Sequence, residues 1–361
     1  MSIRHSALSR PARAAKQFVP AQTARASKQL SKKILLDIGS VSLRRRLLLT
    51  SSPHMRAAAI LGLGCSPKNL EPFQTESGQI AQNIEWRVGV PSSADDADVI
   101  LLFGGDGTIH RHLSQLVKLA LPVLIVPAGS GNDFAHSLGI GGVRDALAAF
   151  CKFCSSGGQA HTIDLGIITP LDVGEVPEPA RTAALGTRYF CCVAGVGLDG
   201  EVARRANRLP RWLRGHGGYV LSLPPAVFNF APFLLKILTE DAAQPAGENW
   251  ITRSHQPTML AAFANAPFYG GGMKIAPRAK MDDGLLDVCT VGAVGRLKLF
   301  FLFPTVFAGR HLNIKEVEYF QASAARIETE QPMDVYADGE FVCRTPAEIR
   351  TARAALAVIV P

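Results

Sequence analysis

The 361 residues are 47% apolar and 19% charged, a balance that excludes a disordered chain and is long enough for two domains. The net charge of +8 is concentrated: residues 1–56 hold 12 of the 38 Lys and Arg against one acid, Asp37, so the rest carries 26 bases and 29 acids. A basic body of the kind that binds nucleic acid is thereby excluded. Seven cysteines, an odd number among apolar neighbours, exclude a disulfide framework.

Residues 1–55 are rich in Ala, Ser, Arg and Lys with little periodicity. They read as a disordered basic tail, or as a membrane-surface or targeting segment. Organised structure is expected from Arg56. Residues 57–62 form a small apolar strand closed by Gly62, Gly64 and Ser66, residues 70–84 a short helix, and residues 85–90 another strand. Asp95, Asp96 and Asp98 mark a turn before the wholly apolar run 99–103, which feeds Gly104-Gly105-Asp106-Gly107-Thr108. From 110 to 120, Leu113, Leu116, Val117 and Ala120 recur at helical spacing. The apolar run 123–126 then feeds a second small-residue loop, Pro127-Ala128-Gly129-Ser130-Gly131-Asn132-Asp133-Phe134, and residues 144–153 read as a helix. Repeated strand–loop–helix order predicts an α/β domain with a mainly parallel sheet.

The pattern changes near His161. Strands are expected over 161–168, 189–196, 258–265, 285–291 and 325–329, with a Pro- and Gly-rich loop at 170–187. Residues 333–337 and 340–343 flank Asp338-Gly339, a strong hairpin signal, so a second, β-rich domain is expected. Between these strands lies the segment 201–238, basic at Arg204, Arg205, Arg208, Arg211 and Arg214 and then apolar. It reads either as a segment meeting lipid head groups and acyl chains or as a buried helical insertion. No window reaches the roughly 18 uninterrupted apolar residues of a membrane span. Cys151-x-x-Cys154 is a lone pair, and the histidines show no zinc spacing. Buried thiols suit a reducing, cytoplasmic compartment.

The two glycine loops carry the chemistry. Glycines after a buried strand let backbone N–H groups approach a phosphate, and a following helix N-terminus favours the anion. Thr108 can donate its hydroxyl, and Asp106 can hold a hydrated Mg²⁺ against the phosphates. No Gly-Lys-Ser/Thr follows, so this is not a P-loop. Taken by itself, Asp338-Gly339-Glu340 reads as a plain hairpin turn.

Together these loops resemble the diacylglycerol kinase catalytic-domain family, which includes bacterial lipid kinases and the sphingosine and ceramide kinases. The second loop, running on into Ala135, is the specific match. Gly195-Val196-Gly197-Leu198-Asp199, Gly270-Gly271-Gly272-Met273-Lys274-Ile275-Ala276-Pro277, Ala279-Lys280-Met281-Asp282-Asp283-Gly284-Leu285-Leu286-Asp287 and Asp338-Gly339-Glu340 follow in the family's order. The resemblance covers about residues 57–361. It implies an α/β, two-domain architecture: a Rossmann-like nucleotide domain at 56–160, to which about 345–361 return, and a β-sandwich-like lipid-substrate domain at 161–344 with the insertion 201–238. It also implies the cofactors ATP and Mg. Gly104, Gly105, Asp106, Gly107, Thr108, Gly129, Ser130, Asn132 and Asp133 would bind the nucleotide, with Asp106 supporting the metal. Lys280 and Leu285 (main-chain carbonyls) and Asp283 (carboxylate) would form a second Mg²⁺ site. Glu340 matches the general base, with Asp338 beside it. One departure is plain: Gly62-Leu63-Gly64-Cys65-Ser66-Pro67 stands where the family opens with Asn-Pro-x-x-Gly.

The resemblance therefore implies an ATP- and Mg²⁺-dependent lipid kinase, peripherally membrane-associated, acting on diacylglycerol or a related lipid at the membrane surface. Two alternatives remain open at this point: a kinase of a soluble substrate, of the NAD kinase type, and a non-catalytic lipid-binding regulator on the same fold.

Overall fold

Three mainly apolar runs and the mixed run Ile84–Val88, each closed by a glycine or proline, build the first half of the sheet. β1 (Met55–Leu61), β2 (Ile84–Val88), β3 (Val99–Gly104) and β4 (Val123–Pro127) pair in parallel in the order β2-β1-β3-β4. Every residue of β3 and β4 is buried, as strands covered on both faces require. The computed structural model describes residues 54–80, 84–171, 188–208, 218–240 and 249–361. The basic tail at 1–53, the loop at 172–187 and the cations Arg211 and Arg214 lie outside the described residues.

Helices α1 (Glu71–Ile80), α2 (Asp106–Leu119), α3 (Asp133–Ser137) and α4 (Val143–Ser155) alternate with these strands. Phe73 of α1 meets Phe103 at 5.3 Å and Phe150 of α4 at 6.1 Å between ring centroids, which ties both helices to the sheet. α2 buries Ile109, Leu113, Leu116 and Leu119, one stripe at helical spacing. It starts at Asp106, four residues before the apolar pattern becomes legible, because Gly105 is its N-cap and an acid in the first turn suits the helix dipole.

The strand order corrects the expectation of a Rossmann-like half. Order β2-β1-β3-β4, with the last strand of the chain joining beyond β4, is that of flavodoxin-type sheets rather than the 3-2-1-4-5-6 order of the Rossmann fold. Successive strands are added to one side of β1 and then to the other, so the strand order reverses between β1 and β3. In sheets of this kind ligands bind at that point, outside the strand ends, where Gly62 and Gly104 to Thr108 stand here.

The second half is antiparallel. It contains β5 (His161–Pro170), β6 (Arg188–Phe190), β7 (Val193–Gly197), β8 (Phe233–Glu240), β9 (Trp250–Ala264), β10 (Leu286–Gly292), β11 (Val317–Ala322), β12 (Ala324–Thr329), β13 (Asp334–Ala337), β14 (Glu340–Arg344) and β15 (Ala347–Val358). The long β9 pairs with β8 through its first part and with β7 and β10 through its last. β7 also pairs with β13, which places the β13–β14 hairpin at that edge.

Two expectations change here. The single strand at 189–196 is two, β6 and β7, broken at Cys191-Cys192. The segment 201–238 holds the greater part of α5 (Leu198–Arg208), then α6 (Gly218–Asn229) and then most of β8. Leu198 and Val202 pack against the fully buried Ala226 and Val227, so part of its apolar character is core. In β8, Leu235, Ile237 and Thr239 are buried in alternation, the period of a strand.

β15 joins the halves. It runs antiparallel to β5 and β12, bulges between Ala352 and Leu356, and ends with Val358 parallel to Val123 of β4. Among the described residues no helix is long and apolar enough to cross a membrane.

Candidate active site

The two glycine loops touch backbone to backbone. A Cβ on Gly105 would lie 2.8 Å from Gly129 Cα, and one on Gly129 would lie 2.5 Å from Gly105 Cα, so neither position accepts a side chain. Asn132, at φ 54, closes the second loop on itself: its Oδ1 accepts the Gly129 N–H at 3.0 Å and its Nδ2 donates to the Gly129 carbonyl at 2.8 Å. Asp106 then joins the loops, accepting the N–H groups of Asp133 at 3.0 Å and Phe134 at 3.2 Å. Thr108 packs its side chain into the space left by Gly62 and Gly104, at the ends of β1 and β3. Gly107, Gly129 and Ser130 remain exposed.

Asp133 links the second loop to the β-rich half. Its carboxylate accepts the N–H groups of Gly271 at 2.8 Å and Gly272 at 2.7 Å, in a stretch where Gly270, Gly271 and Gly272 all have positive φ. Burial raises the Asp133 pKa despite these two donors. Burial, then the charge of Asp133, pushes Asp106 up to about 6. Acids crowded in this way are where a cation would relieve the repulsion.

The hairpin supplies a third carboxylate from the other half of the fold. Asp338 and Gly339 have φ of 49 and 85, the paired positive values of a type I′ turn. Glu340 follows, exposed, with Oε1 4.0 Å from the position a Cβ would take on Gly107. Glu340 therefore faces the first glycine loop.

Asp338, expected beside Glu340, turns its side chain into the fold. Its side chain is 1% exposed and accepts N–H groups from Cys191 at 2.8 Å, Cys192 at 2.9 Å and Val193 at 3.2 Å, with the Cys191 thiol at 3.2 Å. His110 Nδ1 lies 3.5 Å away. Burial works to raise the Asp338 pKa, but His110 and the N–H donors outweigh it and hold the carboxyl below its usual range. A carboxylate so surrounded anchors the turn and positions Glu340. Cys191, Cys192 and Asp338 lie close together, and burial pushes the Cys191 thiol up to about 12, so that it is protonated beside Asp338 and donates to it.

Lys280, Asp283 and Leu285 lie on one loop apart from the glycine loops. Asp283 Oδ1 accepts the Leu285 N–H at 3.0 Å, and Asp164 accepts the Gly284 N–H and the Ala354 N–H, each at 2.7 Å. Asp164 thus fixes the loop against the bulge of β15. Asp283 itself is exposed on this loop.

Composition and spacing gave no signal for three further residues. His110 is the only ring against Asp338 among the described residues. Asn265, fully buried, donates through Nδ2 to the carbonyls of Asp164 and Cys191. His311, 3% exposed, makes its Nε2 contact with the Ile275 carbonyl at 3.0 Å, while its buried Nδ1 has no hydrogen-bond partner among the described residues. His311 lines an apolar cavity together with Leu198, Val202, Met259, Phe303 and Asp199. Burial pushes Asp199 up to about 7, and its carboxylate occupies the space over Gly195.

A flavodoxin-order sheet whose strand ends carry two glycine loops, with a carboxylate facing them from a β-rich half, defines a nucleotide-dependent kinase architecture. Profiles of two domain families match: the diacylglycerol kinase catalytic domain over residues 68–175, and the YegS C-terminal NAD kinase beta sandwich-like domain over residues 192–360. The chain is 33% identical over 268 residues to a diacylglycerol kinase of Mycobacterium tuberculosis, covering 74% of this chain and 78% of that one. It is 26% identical over 266 residues to a diacylglycerol kinase of Bacillus subtilis, covering 73% and 78%. In fold it is similar to a crystal structure of a diacylglycerol kinase from Bacillus anthracis, with a TM-score of 0.56, 17% identity, and coverage of 85% of this chain and 97% of that one. The chain belongs to the diacylglycerol kinase catalytic-domain family of lipid kinases.

Proposed function

We propose that this protein transfers the γ-phosphoryl group of ATP to the hydroxyl of a lipid, diacylglycerol or a close relative. The observation that carries the reading is the approach of Glu340 to Gly107, which sets a carboxylate from the β-rich half opposite the loop suited to phosphates. On this reading the nucleotide half is residues 56–160 with the end of β15, and the lipid half is residues 161–344.

The N–H groups around Gly104, Gly105 and Gly107, with the Ser130 hydroxyl, bind the phosphates and stabilise charge that develops on them, while Gly129 leaves room for the phosphates to approach. Glu340 accepts the proton of the lipid hydroxyl as its oxygen forms a bond to the γ-phosphorus and the bond to the β-phosphate oxygen breaks, releasing ADP. Magnesium, when bound, supplies charge neutralisation; Asp106 would hold it at the phosphates, and Asp283 with the carbonyls of Lys280 and Leu285 would hold it at the second site. The apolar cavity takes acyl chain, and Asp199 and His311 offer the few polar atoms that orient the glycerol or amide end.

The test is to incubate the protein with labelled ATP and a total lipid extract and to identify the product by mass. A phosphorylated neutral lipid is expected. Labelling of a soluble nucleotide alone would sink the reading. Glu340→Gln should lower kcat by about 10²–10⁴ while leaving ATP affinity and melting unchanged; lipid phosphorylation at the wild-type rate in that variant would remove the base from the mechanism.

A further inference from the structure

Large exposed apolar side chains gather at one place in the described structure. α7 (Arg296–Leu302) carries Leu297, Phe300 and Phe301, which are 66%, 37% and 74% exposed. α8 (Pro304–Phe307) ends in Phe307 at 39%, and Phe228 near the end of α6 is 43% exposed. Three of the rings form a run: Phe228 lies 6.0 Å from Phe300, and Phe300 lies 5.9 Å from Phe301. They are not held outward for want of apolar neighbours. The opposite side of the same helices already supplies Leu299, Phe303 and Val306 to the wall of the cavity, and Leu299 and Phe303 pack on Leu198, Val202, Ala226 and Val227. A short helix apolar on both sides needs two apolar partners, and the described residues provide one.

The charge around the strip selects the other partner. Residues 292–315 contain Arg296, Lys298, Arg310 and Lys315 and no acid, although Lys298 is neutralised by Glu316 at 2.6 Å. A second copy docking through the same patch would bring like cations together across the two-fold axis. Anionic head groups complement them, and aromatic rings suit the boundary between head groups and acyl chains.

We propose that α7 and α8, with the end of α6, form the surface that inserts into an anionic lipid bilayer. Leu297 and Phe301 enter the acyl region, Arg296 and Arg310 meet the head groups, and the cavity wall stands directly behind them. A lipid leaving the bilayer would then pass from one side of α7 to the other without crossing water. The purpose of the surface rests on the lipid-kinase reading, but its existence does not.

The full chain is floated with vesicles of phosphatidylcholine alone and of phosphatidylcholine with phosphatidylglycerol, without ATP or magnesium. Binding is expected to the anionic vesicles, weakened by salt, and reduced about tenfold or more by the double substitution Leu297→Ser with Phe301→Ser. Because both side chains are exposed, the double variant should melt with the wild type. If it does not, Phe301→Trp decides: its emission should shift to the blue on vesicles and be quenched by brominated acyl chains. Equal flotation of wild type and double variant, absence of quenching, or a wild-type dimer that the double variant converts to monomer would each overturn the proposal. Lipid phosphorylation is no part of these readouts. Vesicle binding without kinase activity would reject the functional reading and leave the surface standing, and kinase activity without patch-dependent binding would do the reverse.

Discussion

Gly105 and Gly129 approach so closely that a Cβ on either would meet the α-carbon of the other. The geometry of the two glycine loops is therefore set by one contact between two chain segments, each following a buried strand. Gly129→Ala must separate the loops, and should cost about 1–3 kcal/mol with a loss of ATP affinity visible by calorimetry. Gly107→Ala is the contrast. A methyl there meets nothing closer than Glu340 Oε1 at 4.0 Å and sits in the first turn of α2, so the fold should melt at or above the wild-type temperature. Its kinase rate should fall, because the methyl stands between the loop and Glu340.

Asp338 gives a second prediction. Three backbone N–H groups and a thiol point at its carboxylate, so Asp338→Asn places an amide donor against donors. A loss of about 1–3 kcal/mol is expected in urea unfolding, with kcat falling through displacement of Glu340 and ATP affinity retained. The folded pKa of Asp338 is depressed, so its contribution is present above the unfolded value and is lost as pH falls through the folded one. The stability difference between wild type and Asp338→Asn should accordingly shrink towards acid pH.

Asp199 predicts the opposite trend. Its pKa is raised to about 7 by burial, so the folded state holds a proton that the unfolded state has released above about pH 4. The stability this provides is fully present below the unfolded value and is lost as pH rises through about 7. Asp199→Asn keeps an acceptor for the Gly200 N–H at 2.7 Å and has no charge to bury. The variant should gain on the wild type by about 1–3 kcal/mol between pH 5 and pH 8, read from paired melting curves.

Truncation after Ala355 removes Leu356, Val358 and Ile359, all but fully buried, together with the pairing of Val358 to Val123 and the Ile359 N–H bond to the Val123 carbonyl at 2.9 Å. Each such side chain contributes about 1.5–3 kcal/mol. The truncated chain should lose cooperative unfolding and ATP affinity together; an unchanged melting temperature would show that β4 does not depend on its C-terminal neighbour.

Much of the frame was legible because local pattern and tertiary environment agree. Leu113 and Leu116 mark α2, residues 99–103 mark a strand buried on both faces, and Asp338-Gly339 is the turn its chemistry demands. What escaped detection depends on contacts between residues remote in sequence. No local pattern shows that Asp338 turns inward to Cys191 and Cys192 while its neighbour Glu340 turns outward to Gly107. Nor does any pattern show that Asp133 spends its carboxylate on Gly271 and Gly272. β8 was hidden for a different reason: Leu234 and Leu235 are both apolar, so the alternation that buries Leu235, Ile237 and Thr239 is blurred in the sequence.

The path of β15 also sets an order of events during synthesis. The parallel strands emerge before the antiparallel ones, yet the edge of β4 stays unpaired until Val358, at the end of β15, reaches it. Unpaired strand edges invite association with other chains. The parallel half is completed only after the antiparallel half that follows it has been made, and its open edge must be kept from neighbouring chains until β15 pairs with it.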